Sequence, residues 1–534
     1  MKSNLFTLVK QPNVYKNTFD LTHDRKFSCN MGELVPILAL EAIPGDNFTC
    51  NSNHLMRLAP MLSPMMHKVD VYMHFWKVPI RILWSGYDEF YNSDGENYPE
   101  YPYFDLEKMG VKPSSISDYL GFPLVEQNPN DNTKVSALYH AAYYKVWYEF
   151  YRDQNLQDAY PQLDIQDGDN FTHLNNLKLD GYPFKRAWEK DYFTSCLPFP
   201  QKGSAVYLPL GGLADVVWEP NLNTFGDTLR DPDNGNAINT LGNIKNVIYN
   251  SNPNELLKVD MAGGNNPQAS VDNSAHLKAN LATALQITIN DLRLAEKIQE
   301  FLELRARGGT RYSEYLQAVW NVRSSDARLQ RPEYLGGSKT PINISEVLQT
   351  SETSHESPLA DMAGHGISVS NMNGFTTYCE EHCIILGLMS VMPKPSYFQG
   401  LDRKFTRLHP FDHYQPPFAQ LGEQSVLNQE IYFKPNSTQH NTSTFGYQAR
   451  WAEYRDLQSS IHGDFKTTNL HWHMANDYGE PPVLNELFIQ CNATERIFTV
   501  QSLPNERLDH LWVHVIHNLK VNRALPMFNV PSLV

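Results

Sequence analysis

Two kinds of short segment recur along this chain. In one, apolar residues alternate with polar ones; in the other, nearly every residue is apolar. Residues 69–84 (VDVYMHFWKVPIRILW) carry apolar and aromatic side chains on both faces, which predicts a strand buried on both sides. Residues 31–46 predict a strand that ends at the turn signal Pro44-Gly45. After a polar stretch at 336–374, further strands are predicted at 380–391, 484–490, 495–500 and 510–521.

Two segments instead repeat their apolar residues at helical spacing. The first predicts a helix over 134–153 with Thr133 as its cap, and its aromatic stripe is expected to be core rather than a base-stacking surface. The second predicts a helix over 290–307 that stops at Gly308-Gly309, with an apolar face formed by Leu294, Ile298, Phe301 and Leu302. Many short strands with few helices favour an antiparallel two-sheet sandwich over a parallel α/β sheet.

The segment 214–278 differs in composition from the rest of the chain. Residues 221–280 include fourteen asparagines and scattered Gly and Pro, without a sustained apolar period. Connections of this length within a domain are generally functional or disordered. We predict an outward projection that meets other copies or a host surface, the alternative being a solvated loop without a partner. Its candidate contact residues are the large aromatics Trp218, Phe225 and Tyr249.

The composition predicts a soluble protein with a large core and without a secretory signal, because 41% of its 534 residues are hydrophobic and its N-terminal residues lack a continuous apolar run. Six scattered cysteines fit a reducing compartment. The formal net charge is −15. DNA phosphates are bound by Lys and Arg, so this chain is not expected to condense DNA alone.

Common catalytic and ligand-binding motifs are largely absent from the sequence. It contains no phosphate-binding glycine loop, nucleophile elbow or paired-histidine zinc motif. We therefore predict no catalytic residue, cofactor or metal site, and we interpret 164–170 (DIQDGDN) as a turn. Two clusters contain residue types that can bind a metal ion: His462, His471 and His473, and Cys379, His382 and Cys383. We predict that they are instead core or interface histidines and inert thiols.

The double glycine at 308–309 lets the chain leave the second helix in a conformation that other residues avoid. It places three arginines around one corner: Arg305, Arg307 and Arg311. These side chains are candidates to bind phosphate or the carboxylates of a neighbouring subunit. The alternative is intramolecular pairing with Glu300, Glu303 or Glu314, and the sequence leaves both open.

Long, dense signatures in this sequence resemble one family. They are RARGGTRYSEYL (305–316), DARLQRPEYLGG (326–337), FGYQARWAEYR (445–455), EAIPGD (41–46), YRDQNLQ (151–157), DYFTSCLPFPQKG (191–203), EVLQTS (346–351), MAGHG (362–366) and FAQLGEQSVLNQEIYF (418–433). In these segments the chain resembles the major capsid protein of the Microviridae, small icosahedral viruses with circular single-stranded DNA, and especially its gokushovirus branch.

The resemblance implies a mainly β fold, an eight-stranded antiparallel jelly-roll sandwich of the viral capsid type with long loop insertions and a few helices. It implies one structural domain, with 1–213 and 279–534 as the two halves of the jelly roll and 214–278 as a surface insertion that forms threefold protrusions. It further implies a T=1 shell, assembled in the host cytoplasm through pentamers, in which the insertion mediates host attachment.

The partners that the resemblance implies are further copies of the chain, a small basic internal DNA-binding protein, a pilot protein, a scaffolding protein during assembly, the single-stranded DNA genome and a bacterial host receptor. An N-terminal arm inside the shell would make Lys2, Lys10, Lys16, Arg25 and Lys26 candidates to face DNA. The residues leave two other functions open: a jelly-roll carbohydrate-binding protein that uses the 214–278 segment, and a β-sandwich hydrolase with an Asp/Glu pair.

Overall fold

The structure is a computed structural model. It describes residues 15–93, 98–128, 131–157, 160–206, 289–348, 362–503 and 506–528, with backbone only at 371–373 and in four short strands between 216 and 279. The chain divides into two compact units: Met1–Lys202 with Glu303–Val534, and Gly203–Leu302. In the described part of the chain, no helix is long and apolar enough to span a membrane.

The fold is mainly β, as predicted, and the paired strands are antiparallel. The strands are β1 (Asn17–Asp20), β2 (His23–Cys29), β3 (Val35–Ala42), β4 (Asn47–Leu58), β5 (Val69–Pro79), β6 (Tyr103–Asp105), β7 (Lys134–Ser136), β8 (Val216–Trp218), β9 (Ile244–Ile248), β10 (Lys258–Met261), β11 (Leu277–Ala279), β12 (Glu333–Pro341), β13 (Asn343–Leu348), β14 (Met362–Tyr378), β15 (Cys383–Pro393), β16 (Glu423–Leu427), β17 (Thr444–Ala449) and β18 (Leu511–Arg523).

Most of the described helices are short and lie between the strands. They are α1 (Tyr87–Asn92), α2 (Leu106–Met109), α3 (Ile116–Leu120), α4 (Leu138–Val146), α5 (Phe171–Asn176), α6 (Ile289–Arg307), α7 (Tyr312–Trp320), α8 (Asn428–Ile431), α9 (Thr438–Thr442) and α10 (Glu486–Ile489), and a π-helical turn at Trp147–Tyr151 continues α4.

Two sheets form the sandwich of the first unit. One has the order β1-β18-β4-β14-β13, with β2 also paired to β18, and the other has the order β12-β5-β15-β3. Strand β4 buries every second residue, including Phe48, Cys50 and Met56, because only one of its faces meets the opposite sheet. Strand β15 is buried along its whole length. A second apolar layer therefore covers the outer face of its sheet.

That second layer is built around α4, whose aromatic stripe is core as predicted. Tyr143, Tyr144 and Trp147 are fully buried beside the outward residues of β5 and β15. The start of the helix was predicted wrongly, because residues 134–136 pair with β6 instead. Thr133 is consequently not a cap: its hydroxyl and its backbone N–H both donate to the carboxylate of Glu107.

The strands predicted at 69–84, 31–46, 380–391 and 510–521 are confirmed as β5, β3, β15 and β18. Those predicted at 484–490 and 495–500 are wrong. The Asn485 side chain accepts a hydrogen bond from Phe488 N (3.0 Å) and starts the short helix α10. The Glu495 carboxylate accepts from Ser502 N and Oγ, so the second segment turns back on itself.

Segment 336–374, described above as polar, forms most of strands β12 to β14. Its Ser, Thr and Gly residues weaken the apolar signal, yet the backbone pairs on both sides of β14. In the second unit, β8 pairs with β11 and β9 pairs with β10. The pairing of Trp218 with Leu277 brings the two ends of the predicted insertion together.

Candidate assembly surfaces

The arginine corner follows the end of α6, as the double glycine predicted. The helix ends at Arg307, and Gly309 has a φ of +96°, in the region that favours glycine. A Cβ on Gly309 would collide with the carboxylate of Glu314. Glycine at this position therefore permits the turn and the close approach of α7.

Arg311 is held by the first turn of α7. Its guanidinium donates to Glu314 Oε1 at 2.9 Å and to the carbonyl of Arg152 at 2.8 Å. The other oxygen of Glu314 accepts from the backbone N–H groups of Thr310 and Arg311, both at 2.9 Å. This is one of the intramolecular pairs that the sequence left open.

Arg307 has a partner that the sequence did not identify. It forms an ion pair with Glu423, and its Nη2 donates to Gly422 O at 3.2 Å. Glu423 is almost fully buried, and this burial raises the pKa of its carboxyl although the arginine opposes the shift. Arg305 lies with its guanidinium carbon 5.9 Å from the ring centroid of Tyr315. The corner thus joins α6 to β16, and contact of these arginines with a neighbouring subunit stays a prediction.

A cavity of about 1020 Å³ opens beside the corner. Its walls combine aromatic rings with cations and a smaller number of carboxylates: Trp76, Phe150, Tyr151, Tyr334, Arg152, Arg186, Lys190, Arg307, Arg311, Asp153, Glu189 and Glu314. Most of the cations are neutralised internally, for example Lys190 by Asp153 at 2.8 Å.

A second surface was missed by the sequence reasoning. It consists of six large side chains, here called the aromatic platform: Phe405, Leu408, Phe411, Tyr414, Tyr454 and Leu457. Their exposed fractions run from 45% for Tyr414 to 88% for Leu457. The six residues lie in irregular segments and in 3-10 turns at Pro410–Asp412 and Ala452–Tyr454. In such segments the apolar residues do not recur at a regular spacing. Tyr454 belongs to the signature 445–455, and Leu457 lies two residues beyond its end.

Trp451 anchors the platform from below. It adopts a left-handed conformation (φ +65°), is buried, and its Nε1 donates to Phe418 O at 2.8 Å. Its ring packs against both Tyr414 and Tyr454, with centroid distances of 5.6 Å and 6.0 Å. The tryptophan of the signature therefore serves as a support for exposed neighbours.

The remaining candidate residues are distributed as follows. Phe225 and Tyr249 lie outside the described residues, and Trp218 is described only by its backbone in β8. Lys2 and Lys10 also lie outside them. The other three make intrachain contacts: Lys16 donates to Gly45 O at 2.7 Å, Arg25 to Tyr119 O at 2.6 Å, and Lys26 pairs with Asp24 at 2.5 Å.

The histidine and cysteine clusters show no ligand arrangement. Within the described residues, no group of three or more His, Cys, Asp or Glu is placed to hold a metal ion. Residues 470–472 form a 3-10 turn, and His473 is buried with Nε2 2.7 Å from Phe465 O. All six cysteines are buried and free. The predicted turn at 164–170 is present, with Gly168 at φ +75° and Asn170 Nδ2 donating to its carbonyl.

Comparison with known proteins identifies the family. The family model described as "Capsid protein (F protein)" matches residues 8–533. The chain belongs to this family of phage capsid proteins. It is 32% identical to capsid protein VP1 of Bdellovibrio phage phiMH2K and 31% identical to capsid protein VP1 of Chlamydia phage 1, with 99% of this chain and 98% of each relative covered. Capsid protein VP1 of Spiroplasma virus 4 is 29% identical over 99% of this chain and 97% of its own length.

The resemblance to gokushovirus capsid proteins, predicted from the signatures, is thereby confirmed. As a phage capsid protein, the chain assembles with further copies of itself and is part of the virion. The arginine corner and the aromatic platform are accordingly interpreted as surfaces of an assembling subunit.

Proposed function

We propose that this capsid protein closes a T=1 icosahedral shell around a circular single-stranded DNA genome and that its sandwich is an eight-stranded jelly roll. One observation carries the proposal: the two sheets contain the runs β2-β18-β4-β14 and β3-β15-β5-β12. Each run interleaves strands from the two ends of the sequence, as two Greek keys do. The long connections between strands, such as residues 80–332 and 394–510, then provide surfaces for several different neighbours.

Such a subunit needs several distinct contacts. In closed point-group symmetry each surface patch must find its complement on an identical copy, and obligate contacts bury on the order of 2,000 Å² or more. The arginine corner lies within one of the long connections and the aromatic platform within the other. We propose that the chain acts through these contacts and not as an enzyme.

The net charge of −15 bears on how the genome is enclosed. A shell this acidic does not neutralise phosphate by itself, so we propose that a small basic internal protein accompanies the DNA. A scaffolding protein during assembly, a pilot protein for DNA delivery and a bacterial surface receptor complete the proposed partners. Lys16, Arg25 and Lys26 remain candidates to face the DNA.

Assembly of the purified chain tests the proposal. The chain is expressed with its viral partners and examined by sedimentation and negative-stain microscopy, with closed particles of a single size as the expected result. A chain that stays monomeric under these conditions would refute it. Small oligomers retained on a glycan column would instead support the carbohydrate-binding alternative.

Deletion of 219–276 tests whether the insertion mediates attachment. The β8–β11 pair closes the ends of this segment, so a short glycine-rich linker between Trp218 and Leu277 should leave the sandwich folded. We expect host attachment to fall at least tenfold while the unfolding midpoint of the sandwich stays within the error of the wild type. Unchanged attachment, measured as particles bound per cell, contradicts the prediction.

Replacing Arg305, Arg307 and Arg311 with Ala should reduce particle yield more than the amount of folded chain. Arg307 and Arg311 also stabilise the fold through Glu423 and Glu314, so Arg305→Ala, which keeps both of these ion pairs, is measured separately. Arg293→Ala, an exposed arginine earlier on α6, is the matched control. Particle yield from Arg305→Ala equal to that of the control would show that Arg305 does not take part in assembly.

A further inference from the structure

We propose that the aromatic platform, with the cavity beneath it, is the surface on which a second copy of this chain docks. The inference rests on the proposed assembly function and deepens it by assigning one subunit contact. Three of the platform residues, Phe405, Tyr454 and Leu457, line this cavity, which has a volume of about 580 Å³.

The platform is continuous across the two chain segments that form it. The ring of Tyr414 lies 6.2 Å from the ring of Tyr454, and its backbone N–H donates to the Tyr454 hydroxyl at 3.3 Å. Phe411 packs edge-on against Phe418, whose carbonyl accepts from Trp451. These contacts place Phe411, Tyr414 and Tyr454 on one surface, and Phe405 and Leu457 line the same cavity as Tyr454. The backbone N–H of Leu408 donates to Asp412, the residue after Phe411.

The exposed apolar area is at the upper end of what isolated proteins usually leave in water. Phe405 is 67% exposed, Phe411 69% and Leu408 82%. Side chains of this size, exposed to this extent, present on the order of 100 Å² each, so six present on the order of 600 Å². That is the upper end of the roughly 300–600 Å² of the largest apolar patch on a typical monomer. It also approaches the ~800 Å² that each partner contributes to a standard interface.

The base of the cavity is charged but internally neutralised. Arg403 lies 3.3 Å from Glu430 and donates to Ser425 O at 2.8 Å. Tyr192 donates its hydroxyl proton to the same carboxylate at 2.9 Å, while burial raises the pKa of Glu430. An apolar group that reaches the base of the cavity therefore meets a guanidinium and a carboxylate that already neutralise each other, and not a lone ion that would oppose docking.

A second ion pair fixes the rim. Arg407 pairs with Glu453 at 3.0 Å, and its guanidinium lies 4.1 Å from the ring centroid of Tyr454. Gln424 donates to the other oxygen of Glu453 at 2.6 Å. Because these contacts hold the rim in place before docking, less conformational entropy is lost on association.

The charge balance favours a protein over DNA as the occupant. The cavity is lined by four cations and four carboxylates: Arg403, Lys404, Arg407 and Lys466, and Asp402, Glu430, Glu453 and Asp456. A groove that follows single-stranded DNA would need a net positive charge. A surface that is apolar, balanced in charge and provided with a deep cavity suits a protruding apolar side chain, as at interface hot spots. In a chain that assembles with itself, a second copy supplies that side chain.

Two charge-introducing variants test the inference: Leu457→Asp and Phe405→Asp. Both positions are exposed in the single chain, so folding, measured by circular dichroism and unfolding midpoint, should be unchanged, whereas particle yield should fall at least tenfold. Leu124→Asp is the control, because Leu124 is 58% exposed and lies outside the platform. Wild-type particle yield from both variants, or an equal loss from the control, overturns the inference. A wild-type chain that forms no particles refutes the proposed function instead.

Labelling of Leu457→Cys provides a second measurement. All six native cysteines are buried, so a maleimide reports mainly on the introduced thiol. We expect rapid labelling of the free chain and at least tenfold slower labelling in assembled particles. Equal rates in both states overturn the inference. So does protection already present in the free chain, since the platform would then be covered by its own chain.

Discussion

Replacing Asp46 with Ala is expected to lower the free energy of unfolding by about 3–5 kcal/mol, the usual cost of removing one partner of a buried ion pair. The Asp46 side chain is fully buried in the signature 41–46. It accepts from Arg523 Nη2 at 2.6 Å and from Arg523 Nε at 3.0 Å, and its Oδ2 also accepts from Ile43 N at 3.1 Å. The substitution leaves a largely buried guanidinium without its carboxylate and frees the turn between β3 and β4.

Urea unfolding of the dissociated chain measures this difference. Asp24→Ala is the matched control: Asp24 pairs with Lys26 and His514 on the same sheet but is exposed, so its loss should lower the free energy of unfolding far less. Equal costs for the two substitutions would show that the buried pair does not stabilise the fold in the way its geometry implies.

The sequence predicted the strands whose side chains follow a clear pattern. β5 and β15 are apolar on both faces because two layers cover them, and β18 alternates because one face is exposed. It did not predict β14, the longest strand, because Ser, Asn and Gly occupy much of it and only backbone pairing reveals it. Segment 484–490 was misassigned since a local cap at Asn485 overrides the apolar pattern.

The candidate surfaces were predictable only in part. The double glycine located the arginine corner, since a helix end and its charged neighbours are local features. The partner of Arg307 lies at Glu423, far along the chain, so the fold had to place it. The aromatic platform was missed because the usual rule places apolar residues inside. Large exposed side chains on irregular backbone leave no periodic signal, and their role depends on a second copy.

Acidification from pH 6.5 to pH 4.5 should destabilise the dissociated chain, and His517→Gln should reduce that loss. Burial lowers the pKa of His517 to about 4. Its ring joins the two sheets: Nε2 lies 2.9 Å from Ile37 O on β3, and Nδ1 lies 2.7 Å from Ser52 Oγ on β4. The carbonyl can only accept, so Nε2 carries the proton and Nδ1 accepts from the hydroxyl. A second proton would reverse that hydrogen bond, because Nδ1 would then donate to the hydroxyl, and it would place a charge in this buried position.

The direction of the pH effect follows from the lowered pKa. In the unfolded chain His517 takes up a proton below about pH 6.5, whereas in the folded chain it does so only near pH 4. Its contribution to stability is therefore complete above pH 6.5 and is lost as the pH falls towards 4. Between these two pKa values, one such group lowers the free energy of unfolding by about 1.4 kcal/mol for each pH unit of acidification. Burial also lowers the pKa of His54 to about 4 and of His140 to about 3. The pH-dependent losses of stability from these histidines therefore add to that from His517.

Urea unfolding at pH 6.5, 5.5 and 4.5 gives, for each variant, the slope of the free energy of unfolding against pH. We expect His517→Gln to have a slope shallower than the wild type by about 1.4 kcal/mol per pH unit, because one proton is no longer taken up on unfolding. Ser52→Ala, which removes the hydrogen bond but keeps the imidazole, should lower stability while leaving the slope nearly unchanged. Parallel lines for His517→Gln and the wild type would mean that His517 is already protonated in the folded chain, contrary to its buried position between the sheets.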